Sequence, residues 1–263
     1  MAIIRVGDID LNVLDRGRGT PLLLVHGFPL DHTMWQGQID ELAANCRVIA
    51  PDLRGFGASG VTEGTVSMAQ MADDLAALLD GLGIAEPVVF CGLSMGGYVA
   101  WQFALRHKRR LAKLVLCDTR AVADSPEAAA GRVKTAERVL AEGSSVVAES
   151  MLGKLFAPAT ASRQPQIVEA TRQVMLKTSP VGIAAALRGM AARPDVSSRL
   201  AEFNLPALVL CGAHDTIASP AEMRGIAERL PQARFVEIKD AGHMAPLEQP
   251  TAANAALREF LAL

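Results

Sequence analysis

Short runs of consecutive apolar residues punctuate the chain: Leu22-Leu23-Leu24-Val25, Val48-Ile49-Ala50, Val88-Val89-Phe90, Leu114-Val115-Leu116 and Leu208-Val209-Leu210. A strand covered on both faces needs apolar side chains on both, so such runs mark a parallel sheet enclosed by helices. Segments of helical period separate them. The clearest places Met68, Met71, Ala72, Leu75, Leu78, Leu79 and Leu82 on one helical face. Strand and helix in alternation predict a doubly wound α/β fold with a mostly parallel sheet. The start of the chain differs. Ile9, Leu11 and Val13 alternate with Asp10 and Asn12 after a turn at Gly7-Asp8, which predicts an antiparallel pair at the sheet edge. Phe235, Val236 and Ile238 supply a last strand, and Thr251 to Leu261 a closing helix.

The rhythm stops between Ala123 and Phe203. No strand-like run occurs there, and Pro126, Pro158, Pro165, Pro180 and Pro194 divide the segment into short helical pieces. Ligands of open α/β sheets bind outside the carboxyl ends of the strands. Residues 123–203 are therefore expected to form an inserted helical cap over that edge, with 1–122 and 204–263 as the core domain. Extra helices packed beside the sheet are the alternative.

A chain of 263 residues has room for one large α/β domain with an insertion. The formal net charge is only -2 and half the residues are apolar. Nucleic acid and anionic membrane surfaces are poor partners for such a surface. No basic-then-apolar leader and no run near membrane-spanning length is visible. Cys46, Cys91, Cys117 and Cys211 flank or end apolar runs and show no paired metal or redox spacing. They read as reduced, buried thiols, which points to the cytoplasm. The choice between monomer and homo-oligomer stays open.

The candidate chemistry starts where one strand ends. Val88 to Cys91 runs into Gly92-Leu93-Ser94-Met95-Gly96 and at once into a helical pattern. Strand, sharp turn and helix would hold the Ser94 hydroxyl out at the sheet's carboxyl edge, with glycines letting neighbouring backbone approach. A serine hydroxyl needs a base, and the base needs an orienting acid. Asp215 follows the strand Leu208 to Leu210, and His243 follows the strand at Phe235 to Ile238. Ser94 is thus the expected nucleophile, His243 the proton shuttle and Asp215 the orienting acid. Asp118, after the strand ending at Cys117, is the alternative acid. An oxyanion needs backbone donors. Met95 N–H, at the start of the elbow helix, is one; Phe28 N–H, after the strand Leu22 to Val25, is the other. His26 is expected to order that loop, and Arg54 to hold structure. No His and carboxylate set has metal-ligand spacing, so no metal is expected.

These motifs resemble the α/β-hydrolase superfamily over nearly the whole chain. They are His26-Gly27-Phe28, Asp52 to Ser59, Gly92 to Gly97, Gly212 to Asp215, and Gly242-His243. Within it the chain is similar to the 3-oxoadipate enol-lactone hydrolase and carboxylesterase group. Gly27 to Trp35, Gly92 to Tyr98 and Asp118-Thr119-Arg120 carry that likeness. The resemblance implies an α/β-hydrolase fold with a helical cap and a cofactor-free serine hydrolase of small esters or lactones, working through an acyl-enzyme. A dehalogenase or epoxide hydrolase of this fold would carry Asp at Ser94. The carbon–carbon bond hydrolases commonly carry Asn at Leu93.

Leu30, Trp35 and Leu93 lie next to the catalytic loops in sequence and are expected to line an apolar substrate pocket. A substrate with a free carboxylate needs a cation; Arg120, just past a strand end, is the candidate, with a plain ion-pair role as the alternative. Two other functions remain open at this level. Pro29 after the oxyanion residue is also found in cofactor-free perhydrolases and haloperoxidases. A hydrolase-fold receptor that binds a small molecule would keep the same residues.

Overall fold

The structure, a computed structural model, describes residues 1–263. Eight strands form one sheet: β1 (Ala2–Val6), β2 (Ile9–Gly17), β3 (Thr20–Val25), β4 (Cys46–Pro51), β5 (Val88–Leu93), β6 (Leu111–Cys117), β7 (Ala207–Gly212) and β8 (Ala233–Ile238). Their order is β1-β2-β4-β3-β5-β6-β7-β8. β1 and β2 pair antiparallel, as does β2 with β4, and every pair from β4 to β8 is parallel. The apolar runs behave as their composition demands. β5 and β7 are buried along their whole length, whereas β8, at the edge, buries only Ile238.

Around the sheet lie α1 (Gln36–Leu42), α2 (Met68–Gly81), α3 (Met95–Arg106), α4 (Pro126–Glu142), α5 (Ser145–Leu155), α6 (Pro158–Arg163), α7 (Pro165–Lys177), α8 (Pro180–Ala191), α9 (Pro220–Arg229), α10 (Ala245–Glu248) and α11 (Pro250–Leu261). α2 buries Met68, Met71, Ala72, Leu75, Leu78 and Leu79, the apolar face read from its spacing. Ser67 caps its start by accepting from Gln70 N–H. No helix is long and apolar enough to cross a membrane.

Helices α4 to α8 fill the interval between β6 and β7. The prolines there act as helix starters. Pro126, Pro158, Pro165 and Pro180 each sit in a first turn, where the missing N–H costs nothing and the fixed φ already suits a helix. This segment meets the core at several places, among them the chain past β3, β4 and β8. Thr178 Oγ1 donates to the Pro29 carbonyl at 3.1 Å. Gly182 lies so close to Gly55 that a Cβ on it would be 2.0 Å from the Gly55 carbonyl oxygen. Ala157 N–H, just before α6, donates to the Glu248 carboxylate at 2.8 Å.

All four cysteines are free and buried. Cys91 and Cys117 place their sulfurs 4.0 Å apart across β5 and β6. The Cys91 thiol beside it and burial push the Cys117 thiol well up, and burial does the same to Cys211.

Candidate active site

β5 hands directly to α3, and Ser94 at the junction has φ +52° and ψ −113°, a backbone state that L-residues seldom adopt. Its neighbours hold it there. Ser94 N–H donates to the Cys117 carbonyl at 2.9 Å, and its own carbonyl accepts from Gly97 N–H, Tyr98 N–H and Thr119 Oγ1 at 2.9, 3.2 and 2.7 Å. The motif glycines answer to close backbone approach. A Cβ on Gly92 would lie 2.3 Å from the Gly96 carbonyl oxygen, and one on Gly96 would lie 2.3 Å from that of Val25. The turn leaves Ser94 half-buried at the carboxyl end of the sheet.

His243, past β8, puts Nε2 2.9 Å from Ser94 Oγ and Nδ1 2.8 Å from Asp215 Oδ2. Both His243 and Asp215 are buried. Asp215 Oδ1 accepts the N–H groups of Ile217 and Ala218 at 2.7 and 3.0 Å. A carboxylate only accepts, so Nδ1 carries the proton and Nε2 turns its lone pair to the hydroxyl. This arrangement can draw the serine proton and stabilise the resulting imidazolium.

Asp118 occupies the other acid position considered. It is fully buried. Its Oδ1 accepts from Gly212 N–H at 2.8 Å, and its Oδ2 has no partner. Burial and the nearby Asp215 charge hold its carboxyl well above the usual range, which favours its neutral form. The imidazole bonds to Asp215, not to Asp118.

The N–H of Phe28 donates to no acceptor of the protein, and Met95 opens α3, where the first N–H groups lack intrahelical acceptors and the dipole favours negative charge. The Phe28–Pro29 peptide bond is cis. His26 orders this loop: Nδ1 donates to the Gly27 carbonyl at 2.9 Å and Nε2 accepts Leu53 N–H at 2.9 Å. Burial keeps the ring neutral by lowering its pKa. Arg54 is likewise structural, its guanidinium bound to Asp74 and Asp8.

The expected substrate contacts are distributed unequally. Leu30 lines a largely apolar cavity of about 260 Å³ between its loop and α7. Trp35 and Leu93 are packed into the core, Leu93 directly beneath Gly27. Arg120 is turned to α9, where Nε donates to Glu222 at 2.7 Å. That pair is the ion-pair role named as its alternative. Sequence reasoning passes over a different cation. Phe28 walls a second cavity, of about 340 Å³, together with residues of α4, α5 and α8, and Arg132 is the one charged side chain lining it. Arg132 Nε and Nη2 donate to Asp124 at 2.6 and 3.4 Å, while Nη1 meets only the Met190 sulfur, at 3.7 Å.

Two groups bring metal-type donors together: Asp31, His32 and Asp52, and Asp118, Cys211 and Asp215. Their lone pairs are largely committed. Asp52 Oδ1 accepts from His32 N–H and Nδ1, and Oδ2 from Asn12 and Ala58. Burial opposes the Asp52 charge, but these bonds outweigh it and hold the carboxyl well below its usual range. The second group contains Asp118, whose carboxyl burial pushes up, and the acid that already serves His243.

The family model for the alpha/beta hydrolase fold matches residues 20–250. A thermophilic esterase from Thermogutta terrifontis, solved with malate bound, superposes with a TM-score of 0.97 at 49% identity, over 99% of this chain and 97% of that one. The enol-lactonase from Burkholderia xenovorans LB400 superposes with a TM-score of 0.92 at 31% identity, over 100% of both chains. The 3-oxoadipate enol-lactonase 2 of Acinetobacter baylyi is 29% identical over 97% of this chain and 94% of its own length. The chain belongs to the α/β-hydrolase fold family, with esterases and enol-lactonases among its homologues.

Proposed function

We propose that the protein is a serine hydrolase that cleaves small carboxylic esters or lactones through an acyl-enzyme, with enol-lactones within its range. The observation that carries this reading is the unbroken line from Ser94 Oγ to His243 Nε2 at 2.9 Å and from His243 Nδ1 to Asp215 at 2.8 Å. Ser94 attacks the carbonyl carbon as His243 takes its proton. The tetrahedral oxyanion lies against the N–H groups of Phe28 and Met95. His243 then gives its proton to the leaving alkoxide, or, for a lactone, to the oxygen that stays tethered to the acyl group. A water repeats the sequence from the other side and frees the acid. Aligned backbone donors of this kind each contribute about 10²–10³-fold in rate.

Residues 123–203 serve as a cap in this reading. Their contacts at Pro29, Gly55 and Glu248 support it, because those residues follow β3, β4 and β8 at the edge that carries Ser94. Arg132, which lines the cavity beside Phe28 and keeps Nη1 clear of any oxygen acceptor, is the group suited to a substrate carboxylate.

The test is turnover of p-nitrophenyl butyrate and of 3-oxoadipate enol-lactone by the purified protein and by Ser94→Ala, with a fluorophosphonate to count reactive serines. We expect one label per chain in the wild type, none in the variant, and a loss of kcat of several orders of magnitude. Near-normal turnover by Ser94→Ala, or no turnover of either substrate by the labelled wild type, overturns the reading.

A further inference from the structure

Glu248 is a buried carboxylate whose partners come from two parts of the molecule. Its Oε1 accepts Gly242 N–H at 2.8 Å and Met244 N–H at 3.2 Å, the amides on either side of His243. Its Oε2 accepts Ala157 N–H at 2.8 Å and the Thr160 hydroxyl, at the start of α6. All four donors are neutral. A buried anion is costly unless its hydrogen bonds are complete, and bonds to an ionised acceptor are the strong ones. If α6 moved off, two of the four would be lost and the carboxylate would turn toward new donors. The amides flanking His243 would then lose their anchor.

A second observation points the same way. Gly242 approaches the α5–α6 junction so closely that a Cβ on it would lie 2.6 Å from Ala157 N and 2.8 Å from Phe156 C. The histidine turn and the junction are thus in backbone contact as well as joined through the carboxylate.

We propose that Glu248 is a positioning residue that couples the seating of α6 to the alignment of His243 with Ser94. The inference rests on the hydrolase reading above. In that reading, the substrate is closed in by the helical segment, and proper seating of α6 brings the imidazole into line. Poor seating leaves Nε2 off the hydroxyl. Misplacing a catalytic group by about 1 Å from a remote change costs about 10²-fold.

Thr160 provides the test, since it touches Glu248 from the α6 side and makes no bond to Ser94 or His243. Thr160→Val keeps the shape and removes only the hydroxyl. We expect kcat for p-nitrophenyl butyrate, per fluorophosphonate-reactive site, to fall by about 10- to 100-fold. KM should stay within about twofold, and Thr160→Ser should restore kcat. Phosphonylation of Ser94 should slow in parallel, because it needs the same serine–histidine alignment. Glu248→Gln, which turns one acceptor into a donor facing donors, should do the same more severely. A Thr160→Val protein with a lower Tm but unchanged kcat per reactive site overturns the coupling and leaves Glu248 a structural staple. A wild type that neither reacts with the phosphonate nor turns over the ester refutes the hydrolase reading instead.

Discussion

Asp215 offers one carboxylate oxygen to His243 Nδ1 at 2.8 Å and the other to the amides of Ile217 and Ala218. The amide bonds decide which way an asparagine would face at this position. Its carbonyl would stay with Ile217 and Ala218, and its NH₂ would point at Nδ1. That makes Nδ1 an acceptor, moves the ring proton to Nε2 and leaves nothing to take the Ser94 proton. Asp215→Asn should lower kcat by about 10⁴-fold while Tm changes little. A loss below tenfold, measured on p-nitrophenyl butyrate, would contradict the assignment.

Asp118 gives a pH signature. Burial, then the Asp215 charge, raises its folded pKa above the unfolded value of about 3.9. The folded state keeps a proton that the unfolded chain releases. The stability from this group is complete below the unfolded pKa and declines as pH rises toward the folded one. Asparagine has no proton to release. Thermal melts should therefore place Asp118→Asn above the wild type at pH 7.5, with the gap closing toward pH 4. A gap that does not change with pH would count against a protonated Asp118.

Arg132 should set charge preference. Asp124 keeps Arg193 at 2.8 Å when Arg132 is replaced, so the local ion pair survives. Arg132→Gln should raise KM for a p-nitrophenyl monoester of a dicarboxylic acid by about tenfold or more, and leave KM for the neutral butyrate ester alone. Equal effects on both esters would remove Arg132 from carboxylate recognition.

Gly182 and Gly153 make a matched pair. A Cβ on Gly182 would collide with the Gly55 backbone, which no side-chain rotation can relieve, whereas a Cβ on Gly153 meets nothing within 4 Å. Chemical denaturation should show Gly182→Ala destabilised by about 2 kcal/mol or more. Gly153→Ala, in the interior of α5, should be neutral or stabilised by up to about 1 kcal/mol. Equal stability of the two variants would mean that the α8 seat on the Gly55 loop is not a tight contact.

What is legible in this chain follows from how local the cause is. Ser94, Asp215 and His243 stand just past apolar strands, and the strand itself announces where they project. Glycines around Ser94 mark a turn whose cause lies within a few residues. Arg120 stands in a comparable place, yet its orientation depends on Glu222, 102 residues further on, and no short pattern carries that. Arg132 lies inside α4 with no strand end to flag it, and only the packing of α4 beside Phe28 gives it meaning. Trp35 and Leu93 are near the catalytic loops in sequence but are drawn under them by packing. The prolines of residues 123–203 correctly divide the helices, although four of them open a helix rather than end one. Glu248 shows no local sign of its role, because half its partners come from α6 and the residue before it.

The four sealed thiols have a practical consequence. Cys46, Cys91, Cys117 and Cys211 lie on β4, β5, β6 and β7, across the middle of the sheet. A thiol reagent can reach any of them only when the surrounding structure opens. Keeping one cysteine at a time would turn each of these four strands into its own clock for opening. The spread of the four rates would tell whether the sheet comes apart strand by strand or all at once.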